Sequence, residues 1–164
     1  YEALKKSNIN DVDFIMNLQG DEPAIDILDI VSLNDKMLQN SSDIGTLAAP
    51  IQDNKNLRNE NIVKVITENT LGENNFPKAM SFLRKSEQKD NIYHHIGVYC
   101  YSKDSLEKFV QLSQSKNEIE NRLEQLRALD NNIDINVSLA MSSSIGVDTE
   151  EDYLALKKIM EYKN

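Results

Sequence analysis

A single cysteine, Cys100, leaves this 164-residue chain unable to form an internal disulfide, and a reduced intracellular setting is the simple reading. Tryptophan is absent and proline occurs three times. The five glycines (Gly20, Gly45, Gly72, Gly97, Gly146) are scattered, so these residues hold no glycine-rich loop of the kind that cradles phosphates. No apolar run reaches bilayer-spanning length and no signal peptide opens the chain, so no membrane partner is expected. There is also no block of lysine and arginine. The net charge of −9 disfavours nucleic acid as a partner. It remains compatible with a phosphorylated ligand held through a divalent metal, because local charge decides that question.

What the chain does have is the composition of an ordinary globular protein and enough length for one domain, residues 1–164, with a proper core. It starts with Tyr1, in what reads as the end of a helix, and is expected to be part of a longer chain. Helical and strand patterns alternate. A strand over 12–18, read as buried on both faces, leads to a helix over 24–39 with Ile27, Ile30, Val31 and Leu38 along one face. Further strands are expected over 44–49, 62–67, 78–82, 95–101 and 133–139, with helices over 103–112, 117–129 and 149–162. The alternation predicts an α/β fold, a mostly parallel sheet flanked by helices.

The first strand runs into Gln19-Gly20-Asp21-Glu22-Pro23. The carboxyl ends of strands in such sheets are where ligands bind, and a carboxylate there can hold a divalent cation. Asp21 is therefore a candidate metal ligand; the alternative is a turn residue that bonds its own backbone. Asp148 is the second candidate carboxylate, just ahead of Thr149, which with Asp152 has the spacing of a helix cap. Capping by Thr149 and a separate role for Asp148 are compatible.

Strand alternation places His95, Gly97 and Tyr99 on one face, either a polar wall for a hydroxylated ligand or a satisfied core histidine and tyrosine. The adjacent His94 points the other way, which makes a poor metal pair. Cys100 reads as a small buried hydrophobe. In the stretch 117–129, Ile119, Leu123, Leu126 and Leu129 form a stripe; Glu124 projects opposite to it and Gln125 lies at its edge, the pattern of a solvated helix face. Arg84 and Lys85 are placed to pair with a carboxylate or phosphate, and Lys64 reads as an outward-facing strand residue.

Five words in one order, NLQGDEP, NIVKVITE, HIGVYCY, LEQLRAL and IGVDTEEDY, resemble the 3-deoxy-manno-octulosonate cytidylyltransferases (CMP-Kdo synthetases), from about Val12 to the C-terminus. The resemblance implies a nucleotidyltransferase (Rossmann-like) fold and a cytoplasmic homodimer. It implies the reaction of CTP with the eight-carbon acid sugar Kdo, using Mg²⁺, to give CMP-Kdo and pyrophosphate for lipopolysaccharide synthesis. Position by position, Asp21 and Asp148 match the Mg²⁺-binding aspartates. Gln19 matches a residue that helps place sugar and nucleotide. His95, Tyr99, Glu124 and Gln125 match the Kdo-contacting set, and Arg84 matches an arginine that grips the sugar acid. The family has a longer proline-containing stretch after that arginine, whereas this chain continues RKSEQKD. The family's opening strand and basic, glycine-containing phosphate loop have no counterpart here, so the chain is expected to be the sugar-binding and dimerising part. A dimer contact is expected around 95–129, where Val98, Phe109, Val110 and Leu112 are apolar. The alternatives are a truncated product that only folds or dimerises, and a related CMP-sialic acid synthetase.

Overall fold

The computed structural model describes residues 1–7, 9, 11–20, 22–141 and 150–161. Its strands are β1 (Phe14–Asn17), β2 (Ile44–Pro50), β3 (Lys64–Thr67), β4 (Ala79–Leu83), β5 (Ile92–Ser102) and β6 (Ile135–Leu139). The helices are α1 (Glu2–Lys6), α2 (Ile27–Asn40), α3 (Lys103–Phe109), α4 (Lys116–Asn121), α5 (Leu126–Asp130) and α6 (Glu150–Glu161). Local chemistry sets several of these starts. The Asp26 side chain accepts from the Leu28 N–H to begin α2, and Ser102 accepts from the Ser105 N–H to begin α3. Ser115 and Glu118 form a reciprocal capping box on α4. The expected cap at Thr149 lies outside the described residues.

One sheet organises the molecule, in the order β4-β3-β5-β2-β6, with β1 also paired to β5. Among the described residues, four of the five ladders in this sheet are antiparallel and only β2–β6 is parallel, which corrects the expected mostly parallel sheet. β1, β2, β3 and β6 do run the same way. What the alternation missed is that β4 and β5 run against them, with β5 sitting between β2 on one edge and β3 and β1 on the other. Neighbours in the sheet are thus set by where the longest strand inserts, a long-range choice that local periodicity does not encode.

The two faces carry separate cores, as expected of a sheet flanked on both sides. Leu33 and Met37 of α2 pack with Leu47, Ala49, Ile96, Val98 and Cys100. On the other face, Phe109, Leu123, Leu126 and Ala128 cover Ile44, Ala48, Val65, Phe82, Tyr99 and Val137. Cys100 is buried against α2 as a small hydrophobe, and burial pushes its thiol up to about 11.

Three further expectations change. β1 is half-buried rather than enclosed, and Leu18 beyond it is exposed, because the short strand lies on the edge of β5. The inward row of α2 is Asp29, Leu33 and Met37, leaving Ile27, Val31 and Leu38 exposed. The helix carries apolar residues on two stripes, and the sheet selects between them: a Cβ on Gly45 would stand 2.6 Å from Met37 Sδ and 2.9 Å from Leu33 Cδ1, so only glycine lets this row settle so close. The expected helix over 117–129 is broken at Arg122, whose left-handed backbone (φ 53°, ψ 48°) separates α4 from α5 and leaves Ile119 exposed. Of the apolar residues expected at a dimer contact, Val98 and Phe109 are buried within the chain and Val110 is exposed. No described helix is long and apolar enough to cross a membrane.

Candidate functional site

The long strand β5 builds the site. Its residues 92–94 pair with β3 and 99–102 with β1 along the same edge, leaving a gap in that edge around Gly97. The chain leaving β1 bends across this gap: a Cβ on Gly97 would lie 3.8 Å from Gln19 Cγ. Gln19 itself is exposed. On its other edge β5 bulges, since Thr46 of β2 pairs with Tyr99 while Leu47 pairs with Ile96.

Thr46 fills the irregularity. Its hydroxyl donates to the Val98 carbonyl at 2.7 Å and lies 2.9 Å from His95 Nε2. With its one proton given to Val98, the Thr46 oxygen accepts from His95 Nε2–H, so the imidazole carries its proton on Nε2 and has its acceptor lone pair on Nδ1. Burial, reinforced by the neighbouring His94, pushes His95 down to about 3 and keeps it neutral.

A row of rings runs from Phe82 to His95 (centroids 5.0 Å apart), on to Tyr99 (5.5 Å), Tyr101 (5.9 Å) and Phe109 (6.0 Å). His95 and Tyr99 share one face as alternation predicted, and both are buried. Burial raises the Tyr99 phenol well above its usual range, with Tyr101 and Glu124 adding to the effect; the Tyr101 phenol is raised too, by burial first and then by Glu124. Glu124 therefore stands electrostatically close to both tyrosines.

Glu124 and Gln125 lie in the connection between α4 and α5, held from both sides. Arg84 donates from Nε to the Asn121 carbonyl, from Nη2 to the Arg122 carbonyl and from Nη1 to the Glu60 carbonyl, each at 3.0 Å. This side chain thus braces the break at Arg122, a use of the guanidinium not foreseen in the sequence. On the other side, Arg127 binds Glu118 with Nε and Nη2 (2.8 and 2.5 Å) and reaches Glu124 at 3.2 Å. Pairing with Arg127 holds the Glu118 carboxyl down to about 2. Gln125 is half-buried at the head of α5.

Lys64 is not the outward-facing residue its pattern suggested. It is fully buried, and its ammonium donates at 2.6 Å to the carbonyls of Asn59, Ile62 and Arg84, fixing the segment into which Arg84 also reaches. Burial lowers its pKa, as does the Arg84 charge. Three acceptors compensate the buried cation where no carboxylate does.

Asp21 and Asp148 lie outside the described residues. The Asp29 carboxylate accepts the Met141 N–H at 3.0 Å and so joins the first turn of α2, which follows Asp21, to the end of β6, which precedes Asp148. Among the described residues no group of three His, Cys, Asp or Glu side chains is arranged to hold a metal. The structure thus sets His95 against Tyr99, puts Glu124 in electrostatic reach of Tyr99, lays Gln19 over Gly97, and places Gln125 beside Glu124 in sequence. Thr46 and Arg127 went unrecognised in the sequence. The available signals were a hydroxyl within the apolar run Ile44–Pro50 and a cation following Glu124 at helical spacing.

The sequence profile of the cytidylyltransferase family matches residues 1–135. The 3-deoxy-manno-octulosonate cytidylyltransferase of Bartonella bacilliformis is 39% identical over 163 residues, covering 98% of this chain and 66% of the relative. That of Agrobacterium fabrum is 36% identical over 163 residues, covering 98% and 64%. The chain thus spans just under two thirds of the length of these curated relatives. Among solved structures, CMP:2-keto-3-deoxy-manno-octonic acid synthetase complexed with CTP superposes with a TM-score of 0.84 at 27% identity, over 99% of this chain and 66% of that one. An apo UDP-glucose pyrophosphorylase, at 15% identity and a TM-score of 0.64, shares the fold. The α/β nucleotidyltransferase architecture stands, and the chain belongs to the cytidylyltransferase family.

Proposed function

We propose that this chain supplies the sugar-acceptor side of a CMP-Kdo synthetase, which transfers a cytidylyl group from CTP to 3-deoxy-manno-octulosonate and releases pyrophosphate. The observation that carries the reading is that His95 and Tyr99, matched to the Kdo-contacting set by resemblance, share one face of β5 with ring centroids 5.5 Å apart, with Glu124 of the same set in electrostatic reach of Tyr99 and Gln19 lying across the same strand. Hydroxyl-rich ligands are recognised by a few fixed polar groups on a largely apolar wall, which is what the ring row offers, with His95 oriented from behind by Thr46 and Glu124 exposed beside it. The role of these side chains is orientation: they hold the attacking hydroxyl in line with the α-phosphorus.

Asp21 and Asp148 are proposed to hold Mg²⁺. Two carboxylates are hard oxygen donors suited to that ion, and the Asp29–Met141 bond joins the helix that follows Asp21 to the end of the strand that precedes Asp148. Bound there, Mg²⁺ supplies neutralisation of phosphate charge between two anionic substrates. A homodimer in the bacterial cytoplasm belongs to the same proposal.

Titration calorimetry of the chain with Kdo, and in parallel with N-acetylneuraminate, tests the substrate class. Binding of Kdo with no heat from the sialic acid is expected. The reverse preference would replace this reading with a CMP-sialic acid synthetase.

A further inference from the structure

We infer that Arg127 is a positioning residue for the sugar site: it fixes the Glu124 carboxylate beside the Tyr99–Tyr101 ring pair before any ligand arrives. The role rests on the Kdo reading above. Glu124 is 70% exposed, and an exposed glutamate samples many rotamers unless something holds it. Arg127 can hold it because Arg127 is itself fixed. Its side chain is only 13% exposed, and two of its nitrogens are committed to Glu118, which is 5% exposed. Its guanidinium carbon lies 4.8 Å over the Phe109 ring. Phe109 is in turn the end of the ring row that leads through Tyr101 to Tyr99.

The chain of contacts therefore runs from a buried carboxylate, through a planar cation stacked on the site's own aromatic wall, to an exposed carboxylate 3.2 Å away. A planar fork can grip Glu118 with two nitrogens and still offer an N–H to Glu124, which a lysine is unable to do. Glu118 anchors, Arg127 transmits and Glu124 meets the ligand. A site assembled in advance binds more tightly because less freedom is lost on binding.

The test is a double-mutant cycle read as Kdo affinity on the 164-residue chain, with thermal melts alongside. Arg127→Gln is expected to weaken Kdo binding by about tenfold, the cost of ordering Glu124 at binding. Glu124→Gln should weaken it at least as much, and the double variant should match Glu124→Gln within about twofold, since the same contact is lost twice. Arg127→Lys keeps the charge, and so a partner for Glu118, and should fold even if Arg127→Gln does not. It should still lose several-fold in affinity. Wild-type affinity in a cooperatively folded Arg127→Lys or Arg127→Gln chain would overturn the role, and so would losses that add in the double variant. Absence of Kdo binding by the wild-type chain would overturn the sugar-site reading itself, and this role with it.

Discussion

Thr46 and His95, 49 residues apart in sequence, are joined by a 2.9 Å hydrogen bond between the threonine hydroxyl and the imidazole Nε2. Because the hydroxyl proton goes to Val98, this bond sets the histidine tautomer and makes the ring a neutral, oriented group. This pair shows how a β-bulge fixes the orientation of a buried imidazole.

The pH behaviour of His95 follows. Its ordinary value is 6.5 and its folded value is pushed to about 3, so between these limits the unfolded chain takes up a proton that the folded chain refuses. The stabilisation is fully present above pH 6.5 and is lost as pH falls towards 3, with a slope of up to ~1.4 kcal/mol per pH unit. Urea unfolding between pH 7 and pH 5 should show a shallower slope for His95→Gln, whose amide can still donate to Thr46. Nitrogen NMR should show Nε2 protonated and Nδ1 bare throughout. An imidazole at position 95 that titrates near pH 6.5 would contradict the geometry.

Thr46→Val removes the acceptor for His95 and the donor to Val98 while conserving shape. Leaving a buried donor unmatched should cost ~1–3 kcal/mol, measured by denaturant unfolding at pH 7. A change near zero would mean that the bond is not formed in solution.

Gly45→Ala tests the packing of α2. The added methyl would meet Met37 Sδ and Leu33 Cδ1 well inside van der Waals distance, and both side chains are fully buried. A loss of ~1–3 kcal/mol is expected, partly restored by Met37→Ala. Unchanged stability would show that α2 sits further from the sheet.

Asp21→Asn and Asp148→Asn address the metal proposal. In a chimera completed with the part of the Bartonella bacilliformis relative that this chain does not cover, each should lower pyrophosphate release by orders of magnitude. Stability should change by at most ~1 kcal/mol, since asparagine is itself a good turn and cap residue. Wild-type activity with wild-type Mg²⁺ dependence in Asp148→Asn would make Asp148 a cap residue only.

The sequence made some of this legible and left some of it out of reach, for physical reasons. Strand β2 was readable because Ile44–Pro50 is apolar but for Thr46, and its residues through Ala49 are buried. The shared face of His95 and Tyr99 was readable because strand alternation is local. The inward face of α2 was not, because Leu33/Met37 and Ile27/Val31 both satisfy a helical period and only the bare surface of Gly45 separates them. The break at Arg122 was hidden for a related reason: 117–129 has helical propensity throughout. The break is stabilised by Arg84, 38 residues away, whose guanidinium meets the carbonyls it exposes. The same guanidinium is why a residue matched to a sugar-acid contact is found bracing backbone. Lys64 read as a surface cation because the three carbonyls that hold it come from turns that no pattern predicts.

The most direct test of the central claim is a backbone NMR titration of the 164-residue chain with Kdo. The account predicts saturable shifts confined to Gln19, Gly97, Tyr99, Glu124 and Gln125 and their immediate neighbours, with α2 and the cavity bounded by Leu28, Lys36 and Glu73 unmoved. Shifts centred on that cavity instead, or no saturable shift at millimolar Kdo, would contradict it.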